Sequence, residues 1–214
     1  MTDYTSIHWE RAALLIIDTQ TDFVDGAMPI PGTAELLGNM AAVADAFRDA
    51  GRPIVHVIRY YEPFGSDVDT LRRAAVEAGA QIAAPDSTGA DIPALLTQGQ
   101  PVTLDASRLL TGEQQEISPS EVVIYKPRWS AFHRTRLEEW LKQNDVDTVV
   151  VAGCNLPNCP RATLFDASQR DFRTGLVTDA VSQATDERVA DLTLIGVNLL
   201  TVTDVCAALG GAAD

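Results

Sequence analysis

Three side chains in this chain are of types that do chemistry and stand where a sheet would present them. Asp18 closes the apolar run AALLIID (residues 12–18), Lys126 closes VVIYK (122–126), and Cys159 follows TVVVAG (148–153) by six residues. A carboxylate, an amine and a thiol make a nucleophile, a base and a charge stabiliser. Cys159 precedes Pro160. Proline favours the first helical position, so the thiol is expected at or beside a helix N-cap. There the free amides and the helix dipole favour an anion, and a lowered thiol pKa is expected. The preceding turn, Asn155-Leu156-Pro157-Asn158, could bring backbone amides to one point, as an oxyanion hole requires. Each residue also has a plainer reading: a small apolar side chain at a helix start for Cys159, and a turn acid for Asp18.

Other chemistries find less support. Cys154 and Cys159 are five residues apart with no further Cys or His pair nearby, which argues against zinc. No metal site and no organic cofactor is expected. The three histidines, His8, His56 and His133, are scattered, and His56 lies within a strand-like run, where a buried, hydrogen-bonded role is expected. Cys206 falls in an apolar C-terminal segment and is expected in the core. There is no glycine-rich dinucleotide loop, no phosphate loop and no serine elbow.

The elements that must position these groups alternate. Apolar β-branched runs at 12–18, 53–60, 122–126, 148–153, 173–178 and 199–203 suit strands buried on both faces. Helical spacing occurs at 34–50 (Leu36, Leu37, Met40, Val43, Ala44, Phe47), at 135–143 (Leu137, Trp140, Leu141), at 159–171 (Ala162, Phe165, Ala167) and at 186–198 (Val189, Leu192, Ile195). The pattern predicts one α/β domain over residues 1–214, a Rossmann-like three-layer α/β/α fold with a mostly parallel six-stranded sheet. The Pro- and Gly-rich stretch 83–120 reads as an excursion, with a short antiparallel strand expected near 101–103. In such a sheet ligands bind beyond the carboxyl ends of the strands, where Asp18, Lys126 and Cys159 all emerge.

Composition bounds the setting. The 214 residues carry a formal net charge of −14, which disfavours nucleic acid as a partner. No apolar run approaches the ~20 residues of a membrane helix, and no secretory leader is visible. Three cysteines, an odd and sparse set, fit a reducing cytoplasm.

The segments LLIIDTQTDF, IYKPRWSAF and VVVAGCNLPNCPRAT, in this order, resemble the isochorismatase-like cysteine hydrolase superfamily. That group includes nicotinamidase and hydrolases of N-carbamoylsarcosine, biuret, ureidoacrylate and streptothricin. The resemblance runs from about residue 12 to about 205. It implies a Cys159–Asp18–Lys126 triad, an oxyanion hole from the amides of Asn155 and Cys159, and a cis peptide before Asn155. It implies cleavage of a C–N amide or lactam bond through a thioester. GCNLPNCPRAT with ASQRDFR is most similar to the streptothricin-hydrolase-like branch, which opens a cyclic amide. N-carbamoyl, ureido and nicotinamidase-like substrates are the alternatives, and a catalytically idle binding homologue is the non-enzyme reading. Residues after the second strand hold His56 alone, so the metal ligands of nicotinamidases look absent. Position beside the strand ends nominates Gln20, Phe23, Arg59, Tyr60, Tyr61, Trp129 and Phe132 for contact with a small-molecule amide. The resemblance further implies a homodimer or homotetramer.

Overall fold

The computed structural model describes residues 3–63 and 67–210. The first apolar run forms β1 (Ala12–Ile17), and a single turn α1 (Thr21–Val24) follows it. Then come α2 (Thr33–Asp49), β2 (Ile54–Ile58), α3 (Thr70–Glu77), α4 (Ala106–Leu110), β3 (Gln115–Ser118), β4 (Glu121–Tyr125), α5 (Leu137–Gln143) and β5 (Thr148–Gly153). The chain ends with α6 (Cys159–Ser168), β6 (Arg173–Val181), α7 (Asp186–Thr193), β7 (Asn198–Leu200) and α8 (Val202–Gly210).

The strands form one sheet in the order β3-β4-β2-β1-β5-β6-β7, parallel except for β3. Alternation along each buried strand feeds two apolar layers. Leu14, Ile16, Ile54, Ile58 and Val150 pack with Met40, Val43 and Phe47 of α2 and Val205 of α8. Leu15, Ile17, Val55, Val57 and Val151 pack with Leu137 and Leu141 of α5, Leu164 of α6 and Leu192 of α7. Helices thus cover both faces, which is why the strand sequences are apolar throughout rather than alternating.

The sheet has seven strands, not six, because the strand antiparallel to β4 is Gln115–Ser118. Residues 101–103, where that strand was expected, form none. Helix α6 turns Pro160, Thr163, Leu164 and Ala167 inward, while Ala162 and Phe165 are only partly buried. Helix α8 buries Val205 and leaves Cys206 exposed, so Cys206 is not a core residue.

The strand order reverses between β1 and β5: successive crossovers run outward through β2 and β4 on one side and through β6 and β7 on the other. The carboxyl ends of β1 and β5 therefore flank the crevice in which an open α/β sheet binds its ligand.

Candidate active site

Asp18 follows the last residue of β1 with φ 50°, a left-handed conformation that turns the chain sharply off the strand. Its amide donates to the Val57 carbonyl at 2.8 Å. Next door, β5 ends at Gly153, with φ 116°. A Cβ there would stand 2.2 Å from the Ile17 carbonyl oxygen, so only glycine lets the two strand ends approach this closely. The Cys154 amide donates to that same carbonyl at 2.8 Å, and the Cys154 thiol donates to the Asp18 carbonyl at 3.0 Å. Cys154 is therefore a strut between the two strand ends.

Lys126 leaves β4 with its amide on the Ile58 carbonyl at 3.0 Å. Its side chain is fully buried, and its Nζ donates to Asp18 Oδ2 at 2.8 Å and to the Arg128 carbonyl at 3.3 Å. A buried ammonium needs such a partner, since the desolvation cost is otherwise several kcal/mol, roughly. Asp18 Oδ1 has no hydrogen-bond partner among the described residues.

Cys159 is the first residue of α6, with Asn158 as N-cap and Pro160 behind it. The turn before it is held from the β6 end: the Leu156 amide donates to the Ser182 carbonyl at 2.9 Å, and the Ser182 amide to the Gly153 carbonyl at 3.0 Å. Thr163 fixes the helix from the other side, donating to the Cys159 carbonyl at 2.8 Å and accepting from the Ala131 amide at 3.0 Å. The peptide between Cys154 and Asn155 is cis. Among the described residues neither the Asn155 nor the Cys159 amide has an acceptor. Two idle amide donors beside a thiol match what a developing oxyanion requires.

The electrostatics differ from the simple helix-terminus expectation. Burial, then the Asp18 carboxylate, push the Cys159 thiol up to about 12, against the opposing pull of Lys126 and Arg59. At neutral pH the thiol keeps its proton and faces the Asp18 carboxylate. Lys126 is bonded to Asp18 rather than to the sulfur, so the group positioned to take the thiol proton is Asp18.

Around this centre lies a cleft lined by Phe23, Ile30, Leu71 and Trp129 and by Arg59, Tyr61, Asp69 and Arg72. Its cavity volume is about 40 Å³. The residues 12–207 match the Isochorismatase domain. The chain belongs to the isochorismatase family. A probable inactive nicotinamidase from Arabidopsis thaliana is 31% identical over 201 residues, covering 91% of this chain and 94% of its own. Maleamate amidohydrolase from Pseudomonas putida is 31% identical over 177 residues, covering 80% of this chain and 72% of its own. An isochorismatase family protein from Desulfovibrio vulgaris superimposes with a TM-score of 0.78 at 29% identity, covering 94% of this chain and 98% of its own.

Within this family member the nominated contact residues divide. Phe23, Arg59, Tyr61 and Trp129 line the cleft. Gln20 does not: its Nε2 donates to the Arg59 and Ala90 carbonyls at 2.8 and 2.9 Å, and its Oε1 accepts from the Arg59 amide at 2.8 Å. It is a fully committed brace for the strand end. Tyr60, between Arg59 and Tyr61 just past β2, lines a separate cleft with Asp86, Ser87 and Asp91, as alternation in extended chain dictates. Phe132 packs on Phe172 at 5.8 Å within the second apolar layer.

Sequence reasoning missed Ile30, Asp69, Leu71, Arg72 and Asn158 at the cleft. Asp69 caps α3 through the Arg72 amide, a signal visible in the order Asp-Thr-Leu-Arg. His56 is buried and bonded through Nε2 to Glu121 Oε1 at 2.6 Å. Among the described residues no group of three or more His, Cys, Asp or Glu side chains is placed to hold a metal ion. No described helix is long and apolar enough to cross a membrane.

Proposed function

We propose that this protein is a cysteine amidohydrolase cleaving a C–N bond of a small amide, with Cys159 as nucleophile, Asp18 as general base and acid, and Lys126 as the charge that holds Asp18. The observation that carries the reading is the pairing of an unpartnered Asp18 Oδ1 with a protonated thiol and two idle amides at one sheet edge. As the sulfur attacks the carbonyl carbon, Asp18 takes the thiol proton. The carbonyl oxygen becomes an oxyanion between the Asn155 and Cys159 amides; removing one such donor typically costs about 10²–10³ in rate. The amine or ammonia leaves with the proton from Asp18, giving a thioester. Asp18 then takes a proton from water, which attacks the thioester. The acid product departs and the thiolate regains its proton from Asp18.

The likeness to a maleamate amidohydrolase supports an acyclic amide. The narrow cavity supports a small reacting head rather than the bulky lactam of a streptothricin. The likeness to a probable inactive nicotinamidase supports the second reading, an idle binding homologue. Mass spectrometry with wild type and Cys159→Ala on primary amides, N-carbamoyl amino acids, nicotinamide and a streptothricin separates them. Product with wild type alone supports the cysteine hydrolase. Product with both proteins contradicts the triad, and product with neither favours the idle homologue.

A further inference from the structure

A second cavity, of about 240 Å³, shares no lining residue with the catalytic cleft. Its wall comes from Tyr60 just past β2, from residues 86–91, and from Thr103 and Leu104 ahead of α4. The charge in it is one-sided. Asp86 and Asp91 line it, and no Lys, Arg or His does. Neither acid forms an ion pair among the described residues. Asp91 is half-buried, and burial alone pushes its carboxyl up, with no donor or cation pulling the other way. Elsewhere the chain matches its buried acids with arginines, Asp69 with Arg59 and Glu121 with Arg48. Asp105, next to Leu104, is also engaged, accepting from the Ser107 hydroxyl and the Arg108 amide.

Tyr60 adds a feature that the acids alone do not give. It is 3% exposed, and its hydroxyl has no hydrogen-bond partner among the described residues. The hydroxyl end lies on the cavity side: besides burial, the groups that push its ionisation up are Asp86 and Asp91 of the wall and Asp105 beside it. The ring packs on Tyr125, with centroids 5.8 Å apart, within the first apolar layer. A buried tyrosine hydroxyl usually finds a partner, and one left without beside unpaired carboxylates marks a place that a ligand completes.

The chemistry of the wall selects the ligand. Two carboxylates repel an anion, and a neutral molecule would leave the half-buried charge uncompensated. Among the described residues no group of three or more His, Cys, Asp or Glu side chains is placed to hold a metal ion. An ammonium has three N–H donors, which both carboxylates and a phenol oxygen can accept. Its methylene stem would lie against Leu104 and Ala90. We propose that this cavity binds a small organic cation, a primary ammonium on a short alkyl stem, held by Asp91, Asp86 and the Tyr60 hydroxyl. The site stands apart from the amidohydrolase reading, since the two share no residue.

The test uses putrescine, a charged diamine, and butanediol, its uncharged counterpart of the same chain length. Both are titrated calorimetrically at constant ionic strength into wild type, Asp91→Asn, Tyr60→Phe and Asp49→Asn. Asp49 is an exposed acid at the end of α2, outside the cavity, and reports the general attraction of a chain with net charge −14 for cations. Putrescine is expected to bind wild type with one equivalent at the site, and butanediol at least about tenfold more weakly. Asp91→Asn should weaken putrescine at least about tenfold and Tyr60→Phe about threefold or more, while Asp49→Asn should change it less than about twofold. Asp86→Asn, at an exposed position, serves in place of Asp91→Asn if that variant does not fold. No binding of putrescine, equal binding of the two probes, equal weakening by Asp49→Asn and Asp91→Asn, or no effect of Tyr60→Phe overturns the proposal. Tighter binding of magnesium ions than of putrescine, lost in the same variants, would overturn the organic-cation assignment.

Discussion

Strand β4 has a buried charged cluster at each end, and the two are built differently. At its start, Glu121 accepts from His56 Nε2 at 2.6 Å and from Arg48 through Nη2 at 2.8 Å and Nε at 2.9 Å. Both carboxylate oxygens are occupied. Burial raises the Glu121 pKa, but the Arg48 and His56 hydrogen bonds outweigh it and bring the group to about 2. Just past its end, Lys126 holds one oxygen of Asp18, while the other oxygen has no hydrogen-bond partner among the described residues and the carboxylate faces the Cys159 thiol. The same strand thus carries a closed network that stabilises and an open one that leaves capacity unused. Buried polar capacity left open costs stability, so it persists where something else uses it.

Breaking the open cluster should cost activity. Cys159→Ala is expected to lower amide turnover by roughly 10³-fold or more, with a melting temperature close to wild type because only one small sulfur is removed and the Asp18–Lys126 pair stays in place. Calorimetry and product assay on one preparation check both halves. Breaking the closed cluster should cost stability instead. Glu121→Gln leaves Arg48 and His56 without their anion, and a loss of about 3–5 kcal/mol is expected from urea titration. Turnover per folded molecule should stay near wild type.

The same contrast has a pH form. The native pKa of Glu121 lies below its ordinary value of 4.5, so its stabilising contribution is complete above about 4.5. It is lost as pH falls from there toward about 2, and acid unfolding followed by circular dichroism should be shallower in Glu121→Gln across that window. At the open end the sign is reversed. Burial first, and the Asp18 carboxylate next, hold the Cys159 thiol protonated. Asp18→Ala should therefore move the pH profile of iodoacetamide alkylation at Cys159 downward while abolishing hydrolysis. The smallest effect is expected at Tyr60, whose buried hydroxyl has no partner among the described residues and which lines a separate cleft. Tyr60→Phe should change stability and turnover little, within about 0.5 kcal/mol.

Much of this was legible in the chain because parallel strands buried on both faces write themselves as continuous apolar runs, and the residue ending each run emerges at the ligand edge. Asp18 and Lys126 follow from that rule, and Cys159 from Pro160, which marks the helix start six residues past the third run. β3 was not legible, because Gln115–Ser118 is short, only partly covered and has no apolar run. Gln20 and Tyr60 show a second limit. Both sit beside a strand end, but side-chain direction there depends on a local turn and on alternation, which the sequence does not display. Cys206 escaped for a simpler reason, since an apolar C-terminal helix packs only the stripe that contains Val205.

The central claim is that the thiol of Cys159 forms a covalent intermediate with the acyl part of an amide. Rapid-quench intact-mass spectrometry on the wild-type protein, mixed with whichever amide of the panel it consumes fastest and followed by peptide mapping, tests this directly. The account predicts a transient mass increase equal to the acyl group, mapped to the peptide containing Cys159 and absent in Cys159→Ala. Steady turnover with no adduct at any quench time, or an adduct mapped to Cys154, would contradict it.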